Sequence, residues 1–286
     1  MKKVLITGAN SYIGTSFEKY VKEYNVDFEI DTLDLLDPNW KNYDFSGYDS
    51  IFHVAGIAHV SEKEISEQMY DEVNRELAVD VAKIVKKSGV GHFIFMSSMS
   101  IYGVNTGHIT SSTVPNPNTK YGVSKWNAEL DLIKQTSDDF ILSIIRPPMV
   151  YGKESRGNFS RLLKLVKWVP IFPKIQNQRS MIHITNLSNF ISLVIQYKIE
   201  GILFPQNAEY VSTVEMVETI STILGKSIYF LNLPLSNSII NRIPIVNKIF
   251  GSLTYDQSMS TIQSSNGRNI DYCLCNFKDS LKESVL

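Results

Sequence analysis

Tyr121 and Lys125 are the two residues of this chain whose types and spacing could carry acid–base chemistry. They stand four positions apart in a helical pattern, so the phenol and the ammonium share one helix face, about 6 Å apart along the axis. A phenol with a pKa of about 10 is a poor base at neutral pH, but a nearby cation favours the phenolate. Tyr121 could therefore take a proton from a hydroxyl or return one to a ketone. Alternatively, the two side chains form a solvated surface pair. The neighbouring motifs must distinguish this alternative from an acid–base site.

Ser98 lies where a substrate oxygen would meet the same tyrosine. The apolar run Phe93 to Met96 predicts a buried strand, and Ser97-Ser98 ends it. Ligands of open parallel sheets bind at the carboxyl ends of the strands. Ser98 could then share a hydrogen bond with the oxygen that Tyr121 protonates or deprotonates. Both side chains are therefore candidates for substrate binding as well as for catalysis.

The turn after the first predicted strand has the composition of a phosphate site. Residues 8–14 read Gly-Ala-Asn-Ser-Tyr-Ile-Gly and precede a helical pattern. Glycines let backbone N–H groups approach a pyrophosphate, and the positive end of the following helix attracts the anion. One such motif is weak evidence, since Ser11 stands where a glycine is usual and an ordinary strand-to-helix turn is the alternative. The predicted contributors to a dinucleotide cofactor site are Gly8, Asn10, Ser11, Tyr12, Ile13 and Gly14, with Ala55 at the end of the strand that begins at Ile51.

Asp31 and Asp34 are the candidates for recognition of the adenosine ribose. A carboxylate at the end of the second strand would accept hydrogen bonds from the ribose hydroxyls and repel a 2′-phosphate. No Arg or Lys lies between Asp27 and Trp40 to bind that phosphate. The pattern favours NAD, with NADP still possible. Alternatively, both aspartates simply end a strand and begin a turn.

Short apolar runs alternate with helical patterns along the first half of the chain. The runs that begin at Val4, Ile51, Phe93 and Ile141 read as buried strands. This alternation predicts an α/β fold, a Rossmann-type doubly wound parallel sheet with a smaller C-terminal substrate-binding region. We assign residues 1–152 to an NAD(P)-binding Rossmann domain, to which residues 179–200 return. Residues 153–178 and 201–286 form the substrate-binding region.

Composition and charge argue against several other classes of protein. The formal net charge of −1 indicates no basic field for nucleic acid or an anionic membrane, and no apolar run is long enough to span a bilayer. Cys273 and Cys275 are the only cysteines and lie too close for an unstrained disulfide, which favours a reducing, cytoplasmic location. The five histidines lack metal-site spacing, so we expect no metal, although His59 could face the pocket.

Four blocks in the same order resemble the extended short-chain dehydrogenases/reductases, the NAD-dependent epimerase/dehydratase family. Residues 7–14 are similar to its T-G-x-x-G-x-x-G turn, residues 97–103 to S-S-x-x-V-Y-G, residues 121–125 to Y-x-x-x-K, and residues 146–152 to R-P-x-x-V-Y-G. Ser11 departs from the first block. The resemblance covers residues 2 to about 230. Four ordered blocks are far more specific than any one of them.

The resemblance implies roles for individual residues. It implies Ser98, Tyr121 and Lys125 as the catalytic triad, with Lys125 also bonding the nicotinamide ribose. It places Asn74 on the cofactor side, unless that residue only caps or packs within its helix, and the backbone near Pro147 beside the nicotinamide. Two further residues, in segments similar to those that hold a nucleotide diphosphate, are implied in substrate binding: Asn158 and Arg179, the latter with a surface salt bridge as its alternative.

The resemblance also implies a reaction at C4 of a nucleotide sugar, UDP-linked, in the synthesis of polysaccharide precursors. Dehydratases of the family place an acidic pair after the catalytic hydroxyl residue, where this chain has Met99 and Ser100, so dehydration is disfavoured. A 4-epimerase and a 4-keto reductase remain, and the short chain slightly favours the reductase. A non-catalytic dinucleotide-sensing protein of the same fold is the alternative. A homodimer that pairs the helices at 70–88 and 121–136 is expected from the family.

Overall fold

A parallel six-stranded sheet forms the centre of the fold, as seen in a computed structural model that describes residues 1–58, 64–232, 247, 250–263 and 266–286. The strands lie in the order β10-β6-β4-β3-β1-β2, so the chain leaves β1 in one direction and returns in the other from β3 onward. This reversal between β1 and β3 confirms the doubly wound α/β class. The strands of this sheet are β1 (Lys2–Thr7), β2 (Phe28–Leu33), β3 (Ser50–His53), β4 (His92–Met96), β6 (Ile141–Ile145) and β10 (Gly201–Leu203).

Helices cover both faces of the sheet, which explains why its strands read as almost continuous apolar runs. Alternate residues of β1 point to opposite faces: Val4 and Ile6 pack beneath one pair of helices, and Leu5 packs beneath the other. The first pair is α1 (Tyr12–Glu23) and α6 (Ile184–Tyr197), and the second is α3 (Leu77–Lys87) and α4 (Lys120–Ile133). Because α6 packs on α1, residues 184–197 lie against the N-terminal body.

The helix before α3 begins earlier than its apolar pattern indicates. It starts with α2 (Glu67–Asp71), passes through a π-helical turn (Glu72–Glu76) and continues as α3. A π turn inserts an extra residue and is frequent at functional sites. Asn74 lies in this turn and is fully buried.

The C-terminal region packs around a third apolar core that includes Phe172 and Val217. Its helices are α5 (Asn158–Trp168), α7 (Thr213–Ile223) and α8 (Phe277–Val285). The remaining strands form short pairs: β5 (Gly107–Ile109) with β12 (Leu253–Tyr255), β7 (Met149–Tyr151) with β9 (Met181–His183), β8 (Ile171–Pro173) with β11 (Tyr229–Leu231), and β13 (Ile262–Gln263) with β14 (Asn269–Ile270).

The structure differs from the predicted boundary at residue 201. The sequence predicts that residues 201–203 belong to the substrate-binding region, but they form β10, which pairs in parallel with β6 at the end of the main sheet. The N-terminal body therefore extends through residue 203. Among the described residues, no helix combines the length and the apolar character that crossing a bilayer requires.

Candidate active site

The glycine turn lies at the point where the strand order reverses. Gly8 has a φ of 110°, and a Cβ there would lie 2.5 Å from the backbone nitrogen of Ala55, at the end of β3. Asn10 takes a left-handed conformation, with a φ of 64°. The two loops that follow β1 and β3 thus meet with backbone against backbone. This is where dinucleotides bind to doubly wound sheets.

Ser11 caps helix α1. Its φ is −70°, which needs no glycine, and its hydroxyl accepts a hydrogen bond from the Gly14 N–H at 3.1 Å. The Ser11 side chain therefore lies against the start of the helix, where it caps α1. Tyr12 and Ile13, in the first turn, have N–H groups without an acceptor inside the helix. These donors, the positive helix end and the close glycine fit a pyrophosphate.

The two aspartates near β2 occupy different places. Asp31 lies inside the strand, accepts a hydrogen bond from the Tyr48 hydroxyl at 2.7 Å and lies 3.6 Å from the Lys3 ammonium. Asp34 follows the strand directly, next to Leu33, whose carbonyl accepts from the Gly8 N–H at 3.0 Å. Asp34 is thus the carboxylate at the glycine turn, while Asp31 is bound within the fold.

Tyr121 and Ser98 meet at the carboxyl end of β4. Thr119 caps α4, which places Tyr121 in its first turn, and Ser98 caps the short helical turn Met99–Tyr102. The Ser98 hydroxyl donates to the Ser100 hydroxyl at 3.1 Å and lies close enough to the Tyr121 phenol to affect its pKa. Gly122 permits this approach, because a Cβ there would lie 2.7 Å from the carbonyl oxygen of Ser100.

Lys125 points into the same end of the sheet from the next turn of α4. Its ammonium is buried, donates to the Met96 carbonyl at 2.9 Å and lies 4.6 Å from the centre of the Phe95 ring. A Cβ at Gly56 would lie 3.3 Å from Lys125 Nζ and 2.8 Å from Asn74 Oδ1. Lys125 and Asn74 therefore converge where β3 and β4 end.

Asn74 joins the loop after β3 to helix α4. Its carbonyl oxygen accepts from the Ile57 N–H at 2.7 Å, and its amide donates to the Ile57 carbonyl at 3.2 Å and to the Ser124 hydroxyl at 3.0 Å. All of its polar atoms are bound within the protein. Asn74 thus fixes the loop after β3 against helix α4, which is more than a cap of its own helix.

The pKa values correct one expectation. Burial raises the pKa of Tyr121, the hydrogen bond with Ser98 opposes the rise, and Tyr70 adds to it. Burial lowers the pKa of Lys125 to about 8, against the opposite effect of Glu129. The prediction that the ammonium lowers the pKa of the phenol is therefore wrong for this structure. Burial is the largest cause of the raised pKa, the Lys125 charge is not among its causes, and the ammonium is held on the Met96 carbonyl.

A buried ion pair beneath the site was missed in the sequence. Arg146 donates to both carboxylate oxygens of Glu129 and, at 2.8 Å, to the Tyr102 hydroxyl. Glu129 also accepts from the Ser97 hydroxyl. Both charged residues are at most 4% exposed. The spacing of Glu129, four residues after Lys125 on the same helix face, was the available signal.

Pro147 and the two predicted substrate residues lie in different surroundings. Pro147 is buried, and its carbonyl accepts from the Met99 N–H at 3.0 Å, which ties it to the Ser98 turn. Asn158 is the exposed first residue of α5. Arg179 donates to the Gly251 carbonyl at 3.0 Å, and burial lowers its pKa. Pro147 thus adjoins the candidate catalytic group, while the other two residues lie in the C-terminal region.

No group of three metal-ligating side chains occurs within the ranges that the structure covers. His59 lies outside the described residues. The described site brings together a phenol, a hydroxyl and an ammonium near the glycine turn.

Comparison with known proteins identifies the family. The model of the NAD dependent epimerase/dehydratase family matches residues 4–202. A UDP-glucose 4-epimerase of Vibrio cholerae is 32% identical over 90% of this chain and 88% of its own length. An N-acetyl-alpha-D-glucosaminyl-diphospho-ditrans,octacis-undecaprenol 4-epimerase of Escherichia coli O157:H7 is 28% identical over 70% of this chain and 63% of its own length.

The fold of this chain is also similar to that of solved structures. The crystal structure of UDP-glucuronic acid 4-epimerase from Bacillus cereus in complex with NAD superposes with a TM-score of 0.70, at 19% identity, over 99% of this chain and 97% of the other. At that identity the likeness concerns the fold. Together with the family model and the Vibrio relative, it gives one conclusion: this chain is a member of the NAD-dependent epimerase/dehydratase family.

Proposed function

We propose that this chain is an NAD(P)-dependent 4-epimerase of a UDP-linked sugar. One observation carries the proposal: the Tyr121 phenol and the Ser98 hydroxyl lie close together, one helical turn from the buried Lys125, at the sheet end beside the glycine turn. The Vibrio relative supports the choice of epimerase over reductase. The slight preference for a reductase, which came from chain length, is therefore not kept.

In this proposal Tyr121 moves the proton at the sugar C4 oxygen. The phenolate takes the proton from the hydroxyl and returns it to the ketone, while Ser98 holds the same oxygen by a hydrogen bond. A bound nicotinamide would supply the acceptor and donor of the hydride at C4. Burial raises the pKa of Tyr121, and the Lys125 ammonium is held on the Met96 carbonyl. Lys125 would therefore have to move toward the phenol to lower the cost of forming the phenolate.

The chain's own residues would hold the cofactor. The N–H groups at the start of α1, with Gly8 and Gly14, would bind the pyrophosphate. Asp34 would accept from the ribose hydroxyls of NAD, and the Asn74 loop, Ala55 and the Pro147 backbone would flank the nicotinamide. The resemblance gives Lys125 a bond to the nicotinamide ribose, for which it would have to share or leave the Met96 carbonyl.

The diphosphate of the substrate would bind at Asn158 and Arg179. A guanidinium is suited to a diphosphate because its donors match the phosphate oxygens in pairs. A sugar diphosphate on a polyprenyl carrier is the second candidate substrate, because the relative from Escherichia coli O157:H7 is named for one. Either substrate would serve the synthesis of polysaccharide precursors.

The test incubates the purified protein with UDP-sugars, UDP-4-keto sugars and an undecaprenyl-diphosphate sugar, each with and without added NADH or NADPH. NMR and mass spectrometry follow the products. We expect inversion at C4 of a UDP-sugar without consumption of reduced cofactor. Net consumption would select a reductase, and inversion confined to the undecaprenyl substrate would select the second candidate. Binding of NAD without turnover of any substrate would support the non-catalytic alternative.

We also propose a cytoplasmic homodimer that pairs the helices at 70–88 and 121–136. Leu130 and Ile133 are exposed on α4, at 40% and 43%, and could form the centre of such an interface. Analytical ultracentrifugation should show a dimer. A monomer at all concentrations would contradict this part of the proposal.

A further inference from the structure

Five large apolar side chains are exposed together on the C-terminal region. We call Leu165, Trp168, Ile171, Tyr229 and Leu231 the aromatic patch. Trp168 is 84% exposed and Tyr229 is 76% exposed. Single exposed apolar residues need no explanation, but a contiguous group marks an interaction surface.

The backbone shows that the patch is continuous. Leu165 and Trp168 are three residues apart on α5, so they share one helix face, and Ile171 begins β8 directly after that helix. In the parallel pair of β8 with β11, Tyr229 lies opposite Ile171. The intervening Phe172 and Phe230 turn inward and contact each other, which leaves the patch on the outer face.

The two chain segments that form the patch carry no acidic residue. Residues 155–199 contain seven Lys or Arg and residues 219–255 contain three, and neither stretch has an Asp or Glu. On α5 the exposed residues beside the patch include Arg161, Lys164 and Lys167. The formal net charge of −1 for the whole chain therefore does not describe these stretches, although α7, which contacts α5, carries Glu215 and Glu218.

Exposed Trp and Tyr among lysines suit the surface of an anionic bilayer. Amphipathic rings are favoured at the level of the lipid headgroups, and nearby cations bind anionic lipids. A protein partner fits less well, because lysine is depleted at protein–protein interfaces. We propose that the aromatic patch, with Lys164 and Lys167, binds peripherally to an anionic phospholipid bilayer. The proposal does not depend on the identity of the sugar substrate.

The test is co-sedimentation of the full chain with vesicles. One set contains phosphatidylcholine alone, and the other contains about 30% phosphatidylglycerol, an amount chosen to give a negative surface potential. We expect binding to the anionic vesicles at least tenfold stronger than to the neutral ones, and weaker binding at high salt. Equal or absent binding to the two kinds of vesicle would overturn the proposal.

Matched variants assign the binding to the patch. Trp168→Ser with Tyr229→Ser should weaken binding at least tenfold, whereas Val114→Ser, at a site 77% exposed elsewhere, should not. Lys164→Glu with Lys167→Glu should abolish the preference for anionic lipid, and Lys19→Glu on α1 should leave it intact. Unchanged binding of the patch variants would contradict the assignment.

A further readout separates lipid from protein partners. If the patch variants change the sedimentation coefficient of the protein without lipid, the patch is a contact between protein copies and the proposal fails. Turnover of a water-soluble UDP-sugar should be the same in the patch variants and the unaltered chain. Loss of vesicle binding with intact turnover therefore tests the membrane proposal independently of the epimerase proposal.

Discussion

The ion pair beneath the candidate active site and the basic face of the C-terminal region use charge in opposite ways. Arg146 is 4% exposed and bound to Glu129 and Tyr102, so its charge is paired inside the protein. Lys164 and Lys167 are exposed, on a stretch with no acidic residue. A buried charge can fix the position of its neighbours, whereas exposed charges remain available to a partner. The net charge of the chain shows neither the buried ion pair nor the exposed cations.

The largest effect is expected on turnover, from a change at Tyr121 in the candidate active site. Tyr121→Phe removes the proton donor and acceptor but keeps the ring, so we expect turnover to fall by a factor of about 10² to 10⁴. Binding of the dinucleotide, measured by calorimetry, should change little. Unchanged turnover would rule out the role of Tyr121.

The second effect contrasts the buried and exposed cations directly. Arg146→Met leaves the Glu129 carboxylate buried without its partner, which should lower the free energy of unfolding by about 3–5 kcal/mol. Lys167→Ala removes an exposed cation and should change it by less than about 0.5 kcal/mol. Urea denaturation measures both. The double variant Glu129→Leu, Arg146→Met should recover most of the lost free energy of unfolding. Similar values for Arg146→Met and Lys167→Ala would show that the buried pair does not stabilise the site.

A third effect is the acid sensitivity of the core. Burial lowers the pKa of His53 and of His92 to about 3 each, so both stay neutral in the folded protein below pH 6.5. The unfolded chain then binds more protons than the folded one, and stability falls as the pH drops from 6.5 towards 3. At pH 5 the loss is about 2 kcal/mol for each histidine. Melting temperatures at pH 7 and pH 5 should show it, and His92→Asn should reduce the difference between the two.

The smallest expected effect concerns the two aspartates. Asp34→Asn should raise the preference for NADP over NAD about tenfold, because the carboxylate that repels a 2′-phosphate is lost. Asp31→Asn should affect mainly stability, since that carboxylate binds Tyr48 and Lys3. The ratio of kcat/KM for the two cofactors measures the change. A larger shift from Asp31→Asn would reverse this assignment.

The sequence predicted the strands and the catalytic spacing well because these depend on local pattern. Ile141–Ile145 forms β6 within the predicted bounds, and Tyr121 and Lys125 lie on one helix as expected. The pairing of Glu129 with Arg146 depends on two distant elements that meet only in the fold. The pKa of Lys125 likewise depends on burial, which spacing does not report. The pairing of β10 with β6 joins residues far apart in the chain, so no local pattern could reveal it.

Strand β2 is the last strand on its side of the sheet among the described residues. The segment after it, from Asp34 to Asn39, is held by short side-chain turns: Asp34 accepts from the Leu36 N–H, and Asp37 from the Asn39 N–H. Exchanging this segment would therefore break no strand pairing. Given the proposed role of Asp34, exchanging this segment would alter the coenzyme preference, provided that position 35 keeps an apolar side chain, because Leu35 is buried in the core.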